Sequence, residues 1–379
     1  MMRLLHTLAL AMLLTTAFPL AANETTAVPA AKVVPPVSER FAAADASETP
    51  DFRRHVLPLL GRLGCNGRAC HGSFQGQGGF RLSLFGYDFD ADHKALGGGD
   101  VSRINLQQPL ESLILQKPTL SVDHEGGERM QVDTWQHRLL KKWIDSGAAG
   151  LSPDSAAFAR LEVRPEHVEF QKVGDTRQLA VLVHWADGSC EDVTPLCRFR
   201  SNDESIADID ATGLVTSVGP GDTHLVAFYD NGVLPVPVLL PVSEQAGERY
   251  PAVPTPTKID ELVVGKLRQL GIVPAELCTD AEFLRRASLD VTGTLPTPEE
   301  VEAFLADTAS DKRTLKIEQL LTRPAHVAWW TTKLCDITGN NPQSLNEAPY
   351  NGAQASAEWY KWIYQRVEQN MPYDRIVAV

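Results

Sequence analysis

FRRHVLPLLGRLGCNGRACHG, residues 52–72, decides how the N-terminal part of this chain is read. Its first half spaces Phe52, Val56, Leu59, Leu60 and Leu63 as one face of an amphipathic helix. That helix runs straight into two cysteines and a histidine. A Cys followed directly by His is what covalent haem attachment requires: two thiols add to the haem vinyl groups and the adjacent imidazole takes the iron on its proximal side. Cys65, Cys70 and His71 supply those groups, although four residues separate the cysteines where the usual motif has two. The small Gly67 and Ala69 ease the bulge that the longer loop needs. The same residues allow a small disulfide loop in an oxidising compartment, or a zinc site completed by His93 or His124.

Downstream of the cluster lie a Gly-rich middle and a closing amphipathic helix, WQHRLLKKWIDSGA (135–148), whose Trp135, Leu139, Trp143 and Ile144 can pack across the first helix. Just before it, SVDHEGGERM (121–130) holds two candidates for the distal iron position, His124 and Met130. A sulfur ligand raises a haem potential and a second imidazole lowers it, so the choice sets the redox role. Met130 is the preferred distal ligand on sequence grounds; His55, His93 and His137 read as surface or helix-face residues.

The chain opens MMRLLHTLALAMLLTTAFPLAANETT, with one Arg, an apolar run and small residues at Ala21 and Ala22. This is the pattern of a secretory signal peptide over residues 1–22, and no later segment is apolar enough to span a bilayer. The expected location is therefore outside the cytoplasm, in the periplasm or at the cell surface, where haem is attached and thiols can oxidise. Residues 23–48, rich in Ala, Pro, Thr and Val, read as a flexible leader. With 379 residues the chain is long enough for several domains, and a net charge of -13 argues against nucleic acid as a partner.

From Leu161 the pattern changes to short alternating runs, LEVRP, QLAVLVHW, GLVTSV, HLVAFY and VPVLLPV, separated by DG, SND, ATG, GPGD and DNG turns. Such spacing predicts a β-sandwich over 160–243, with Gly188, Gly213 and Gly221 at turns and Val193, Ile206, Ile209, Leu214 and Val226 in the core. Cys190 and Cys197 could pair as a disulfide if both face one side. A Pro-rich linker, 244–256, leads to a helical stretch over 257–379, with Thr257, Thr297 and Ser310 as N-caps. Trp329, Trp330, Trp359 and Trp362 fall at helical spacing and are expected in the core.

Three resemblances follow from these motifs. HVLPLLGRLGCNGRACHGSFQGQGGFRLSLFGYDFDADHKAL, with SLILQKPTLSVDHEGGERM and LLKKWIDSGA, resembles the cytochrome c-like domain of large exported planctomycete-type proteins, covering nearly all of 49–150. The ADGS turn before EDVT, the SND, SIA, ID, ATG and LV run, and the GD before the last strands resemble the bacterial immunoglobulin-like group 2 family. IDELVVGKLRQLG and the residues after it, including Asp280, Arg285, Arg286, Asp290, Gly293, Pro296 and Pro298, resemble the opening of a helical domain of unknown function, whose members usually run on past MPYDRIVAV. The charged members of that set read first as an ion-pair network between helices. Together the resemblances imply a multidomain chain: an all-α cytochrome c-like domain, an all-β immunoglobulin-like sandwich and a mainly α C-terminal domain, that last one incomplete. They also imply one covalent haem c on Cys65 and Cys70, His71 as proximal ligand, and electron transfer to an unknown redox partner protein. Whether the chain is an enzyme stays open. Two other readings remain: a haem-free, disulfide-stabilised module whose immunoglobulin-like domain grips a cell-surface polymer, and a haem-coupled enzyme with its site in the helical domain.

Overall fold

The structure is a computed structural model that describes residues 33–98, 102–346 and 351–378. The signal peptide expected at 1–22 lies outside the described residues. The chain divides into two compact units, Met1–Val273 and Pro274–Val379. The first holds a helical part followed by a sheet-rich part.

In the helical part, the Asp51 carboxylate accepts the Arg54 N–H at 2.8 Å and opens a wide turn over Phe52–Val56, in which the N–H of Val56 reaches back to the carbonyl of Asp51. That turn runs into a helix over Leu57–Arg62, with Pro58 in its first turn. Helix α1 (Val37–Arg40) precedes that turn, the Leu57–Arg62 helix is α2, and three more follow: α3 (Phe89–Gly97), capped by Asp88; α4 (Leu113–Gln116); and α5 (Trp135–Asp145). The expected packing of first helix on last is present, since the Phe52 and Trp143 rings stack with centroids 5.6 Å apart. Leu59, Leu60, Leu115, Leu139, Leu140 and Trp143 are all fully buried around this contact. His93 meets both of these rings edge-on and bonds the Ala148 carbonyl through Nε2 at 2.8 Å. His55 and His137, read as surface residues, are buried.

The leader departs from expectation over its described part. Strand β1 (Val33–Val34) pairs in parallel with β6 (Cys190–Asp192), and a helical turn, Val37–Arg40, follows. Val37 and Phe41 are 0% exposed. Two apolar anchors and a free sheet edge are enough to order a segment whose composition alone carries no period.

The sheet-rich part spans Phe158 to Leu240. Strands β2 (Phe158–Arg164), β5 (Ala180–Trp185) and β6 join β1 in the order β1-β6-β5-β2. Strands β3 (Val168–Glu169), β7 (Arg198–Ser201), β10 (Gly221–Tyr229) and β11 (Gly232–Leu240) form the order β3-β11-β10-β7. A small third sheet is ordered β4-β9-β8, from Thr176–Gln178, Leu214–Ser217 and Ala207–Ile209. Val181, Val183, Trp185, Leu225, Tyr229 and Val236 share the core. Val193 and Val226 are buried as expected, but Leu214 is 36% exposed and Val215 fully buried: the strand's period of two puts the neighbouring residue inside. Ile206 and Ile209 are half-buried. The expected turn glycines Gly188, Gly213 and Gly221 all have positive φ, at 83°, 83° and 137°.

The structure does not join Cys190 and Cys197; both are free thiols. Cys190 pairs in register with His184 on the neighbouring strand, whereas Cys197 follows a helical turn over Thr194–Leu196 and donates to the Val193 carbonyl at 3.3 Å. That turn redirects the chain between them, so strand alternation no longer relates the two side chains.

The helical and sheet-rich parts are joined by buried polar contacts. Tyr229 Oη donates to the Arg54 carbonyl at 2.6 Å, and the Arg54 guanidinium lies 4.4 Å over the Trp185 ring. His55 Nδ1 accepts the Asp51 N–H, which leaves Nε2 to donate to Glu191 at 3.0 Å. Arg40, from the leader, pairs with both Glu191 and Glu48.

Helix α6 (Lys258–Leu270) clusters with the first compact unit. Val242 N–H bonds the Leu270 carbonyl at 2.8 Å, and Lys266 pairs with Asp222 at 2.7 Å. The second unit contains α7 (Asp280–Thr292), α8 (Pro298–Ala306), α9 (Lys312–Leu321), α10 (Pro324–Ile337), α11 (Gly352–Glu368) and α12 (Tyr373–Val377). Thr257 and Thr297 form capping boxes as expected, with Asp260 and Glu300. Ser310 does not cap α9; Asp311 takes the position without a side-chain bond. Asp280 pairs with Lys312 and Arg313 in the helix-tying role expected of it, whereas Arg285, Arg286 and Asp290 form no ion pair among the described residues; Glu300 pairs with Lys316 and Arg323. Trp330 and Trp359, expected in the core, are 44% and 39% exposed.

Candidate functional site

The helix Leu57–Arg62 ends where the cysteine loop begins, and the loop is built from backbone bonds. Cys65 N–H bonds the Leu60 carbonyl at 2.9 Å, Cys70 and Gly72 N–H both bond Gly67, and His71 N–H returns to Cys65 at 3.0 Å. The four-residue spacer is thereby wound into a compact turn. Gly72 is required there, because a Cβ would sit 1.9 Å from the Asn66 carbonyl oxygen.

Cys65 and Cys70 are both half-buried free thiols. Burial, reinforced by the neighbouring Cys70 sulfur, pushes the Cys65 thiol up to about 12, so it is protonated at neutral pH. Arg129 Nη2 stands 3.9 Å from Cys70 Sγ.

The structure sets His124 beside His71. Their ring centroids are 6.4 Å apart and their planes differ by 12°. Each ring is held from behind: His71 Nδ1 donates to the Phe80 carbonyl at 3.2 Å and His124 Nδ1 to the Gly127 carbonyl at 3.0 Å. With the proton on Nδ1, Nε2 carries the lone pair, the form of imidazole that binds a metal. Burial lowers the His71 value further below its usual range, opposed by the Phe80 carbonyl and helped by His124.

The HEGG segment shows why its glycines are there. A Cβ on Gly126 would stand 2.7 Å from His124 Cε1, and Gly127, whose carbonyl takes the His124 proton, has φ of 72°. Sequence reading found His124 but ranked it second, and it missed the two carbonyls that orient the rings; the paired glycines after His124 were the available signal. Met130, preferred on sequence, packs instead in the apolar core with Leu115 and Leu139. His93 is tied to Ala148 against Phe52 and Trp143, and among the described residues no group of three or more His, Cys, Asp and Glu is arranged to hold a metal ion.

A residue set that holds haem needs two thiols, an adjacent imidazole and a second axial group. With metal–nitrogen distances of about 2.0 Å and roughly 1.1 Å from ring nitrogen to ring centre, two imidazoles on one ion stand about 6.2 Å apart centre to centre. The observed separation of ring centres, 6.4 Å, is of that size, and two thiols and two imidazoles are the donor types such a set needs.

Against known proteins, no curated protein matches the chain. Among solved structures it is similar to the S-layer protein SbsC domains 4 and 5, at 16% identity and a TM-score of 0.19, over 23% of this chain. The chain spans about half of that structure's length, 53%. Residues 258–379 match the family model of PSCyt2, described as a protein of unknown function (DUF1549), in keeping with the helical domain of unknown function expected at that end.

Proposed function

We propose that the helical part of the first unit carries one covalent haem c and that the protein is an exported electron carrier of the periplasm or cell surface. The observation that supports this is the His71–His124 pair: near-parallel rings 6.4 Å apart, each with Nδ1 fixed on a backbone carbonyl. Cys65 and Cys70 would hold the group, His71 would be its proximal ligand, and His124 rather than Met130 its distal one. When bound, haem supplies a one-electron couple, and two imidazoles place its potential below that of a Met-ligated site.

The chain's own residues do the rest. The carbonyls of Phe80 and Gly127 keep both imidazoles in the ligating tautomer, and Gly126 gives the His124 ring room to stay where it is. The contacts from Arg54, His55 and Tyr229 hold the sheet-rich part in fixed relation to the site, so it acts as a rigid support.

The test is an absorbance spectrum and intact mass of the protein exported from a host that matures c-type cytochromes, with Cys65→Ala and Cys70→Ala variants beside it. A Soret band and a mass increase of one haem, both lost in the variants, are expected. An unmodified mass in the parent protein would overturn the reading.

A further inference from the structure

A second site lies in the first unit, in a cleft of about 880 Å³ between the helical and sheet-rich parts, a size within the roughly 300–1,000 Å³ of small-ligand sites. Arg62 reaches it from the first helix, Arg198 and Arg200 from β7, and Phe85 and Tyr87 from the loop before the Phe89 helix. Three guanidinium groups converge here in a chain whose net charge is -13.

Arg198 is the centre of the cluster. It lies 4.5 Å over the Phe85 ring and 5.2 Å over Phe228, and among the described residues no carboxylate pairs with it. Burial lowers the value of its guanidinium. A cation held on two aromatic faces and given no anion is arranged for an anion from outside. Phe85 and Tyr87 remain 49% and 63% exposed, leaving ring faces available to a ligand.

The cleft also holds an acceptor. The Asp230 side chain is buried and paired with Arg53 at 3.5 Å. The carboxylate open to a ligand hydroxyl is that of Asp210, an exposed residue of the lining. Asp210 lines the cleft as well, so the site's positive charge is tempered and suits one negative charge per unit better than a polyphosphate.

We infer that this cleft binds an acidic saccharide, with ligand carboxylates on Arg198 and Arg200, ligand hydroxyls on Asp210 and sugar faces against Phe85 and Tyr87. The inference is independent of the haem reading, because no cleft residue named here is a haem-holding one.

The experiment is calorimetric titration of the full-length protein with trigalacturonic acid, neutral maltotriose and a sulfated carrageenan oligosaccharide. Trigalacturonic acid should bind, with an affinity that falls as salt is raised and drops by about tenfold or more in Arg198→Ala. The exposed Arg200→Ala, whose melting curve should match the parent, guards against misfolding of the first variant and should also weaken binding. Equal binding of maltotriose, binding of the sulfated chain alone, no binding of trigalacturonic acid, or an affinity unchanged in a natively folded Arg200→Ala would each overturn the assignment.

Discussion

Gly126→Ala is the most economical test of the His124 assignment. The added Cβ would stand 2.7 Å from His124 Cε1 and 3.0 Å from Nε2, whereas ordinary contact begins at 3.4 Å. The ring must therefore retreat by about 0.7 Å, several times the roughly 0.2 Å to which metal–ligand distances are held. Gly126 does not occupy the left-handed region, so the substitution acts on the ring and not through backbone strain. Cys65, Cys70 and His71 are untouched, and a haem held by them as proposed should stay attached at full mass. The expected result is a shift from a six-coordinate, low-spin spectrum toward a high-spin one, with carbon monoxide binding the reduced protein faster. His124→Ala should show the same change in full, and Met130→Ala should not. If Gly126→Ala and His124→Ala both keep the parent spectrum while Met130→Ala loses it, the distal ligand is the methionine and the reasoning from ring geometry is wrong.

Three other outcomes test the fold around the site. Phe41→Ala should cost about 3–5 kcal/mol in urea unfolding, as a large side chain at 0% exposure; a cost under about 1 kcal/mol would return the segment to the status of a loose leader. Glu191→Ala strips a buried carboxylate from Arg40 and His55 and should cost about 3–5 kcal/mol, with the helical and sheet-rich parts melting in a single transition. Two separate transitions in the parent protein would show that the contacts do not couple them. In the second unit, Arg323 first, then the Thr297 N–H and Lys316, hold the Glu300 carboxyl down to about 2, below its ordinary 4.5. A depressed acid contributes stability above its unfolded value that disappears as pH falls through the folded one. Glu300→Gln should thus be less stable by about 1–2 kcal/mol at pH 7, after solvent screening, with the gap closing toward pH 2; a gap independent of pH would refute the ion pair.

Local chemistry made much of this protein legible without coordinates. The alternation from Leu161 to Val242 marked the strands, the DG and ATG turns marked positive-φ glycines, and Thr257 and Thr297 marked helix starts, because each of these depends on residues within a turn or two of one another. Errors gathered where a distant partner decides. Leu214 and Val215 are equally apolar, and only the register against β4 and β8 puts the second one inside. Val33 to Phe41 carries no period, yet it is ordered by an edge strand more than 150 residues away. Cys190 and Cys197 lie close in sequence but are parted by a helical turn that their spacing does not reveal.

The candidate site divides along the same line. Sequence by itself determined that Cys65, Cys70 and His71 stand together, since their adjacency is covalent, and it narrowed the distal group to two residues, His124 and Met130, on one short segment. The tertiary structure sets one of them beside His71 and buries the other. Met130 is drawn inward by burial beside Leu115 and Leu139, while the left-handed Gly127 and the Cβ-free Gly126 turn the His124 ring to face His71 across 6.4 Å. The Arg198 cleft lay wholly beyond reach, because it is assembled from residues that only the docking of the helical part on the sheet-rich part brings together. Adjacency along a chain fixes which groups are available; the direction in which each side chain points is set by what packs behind it.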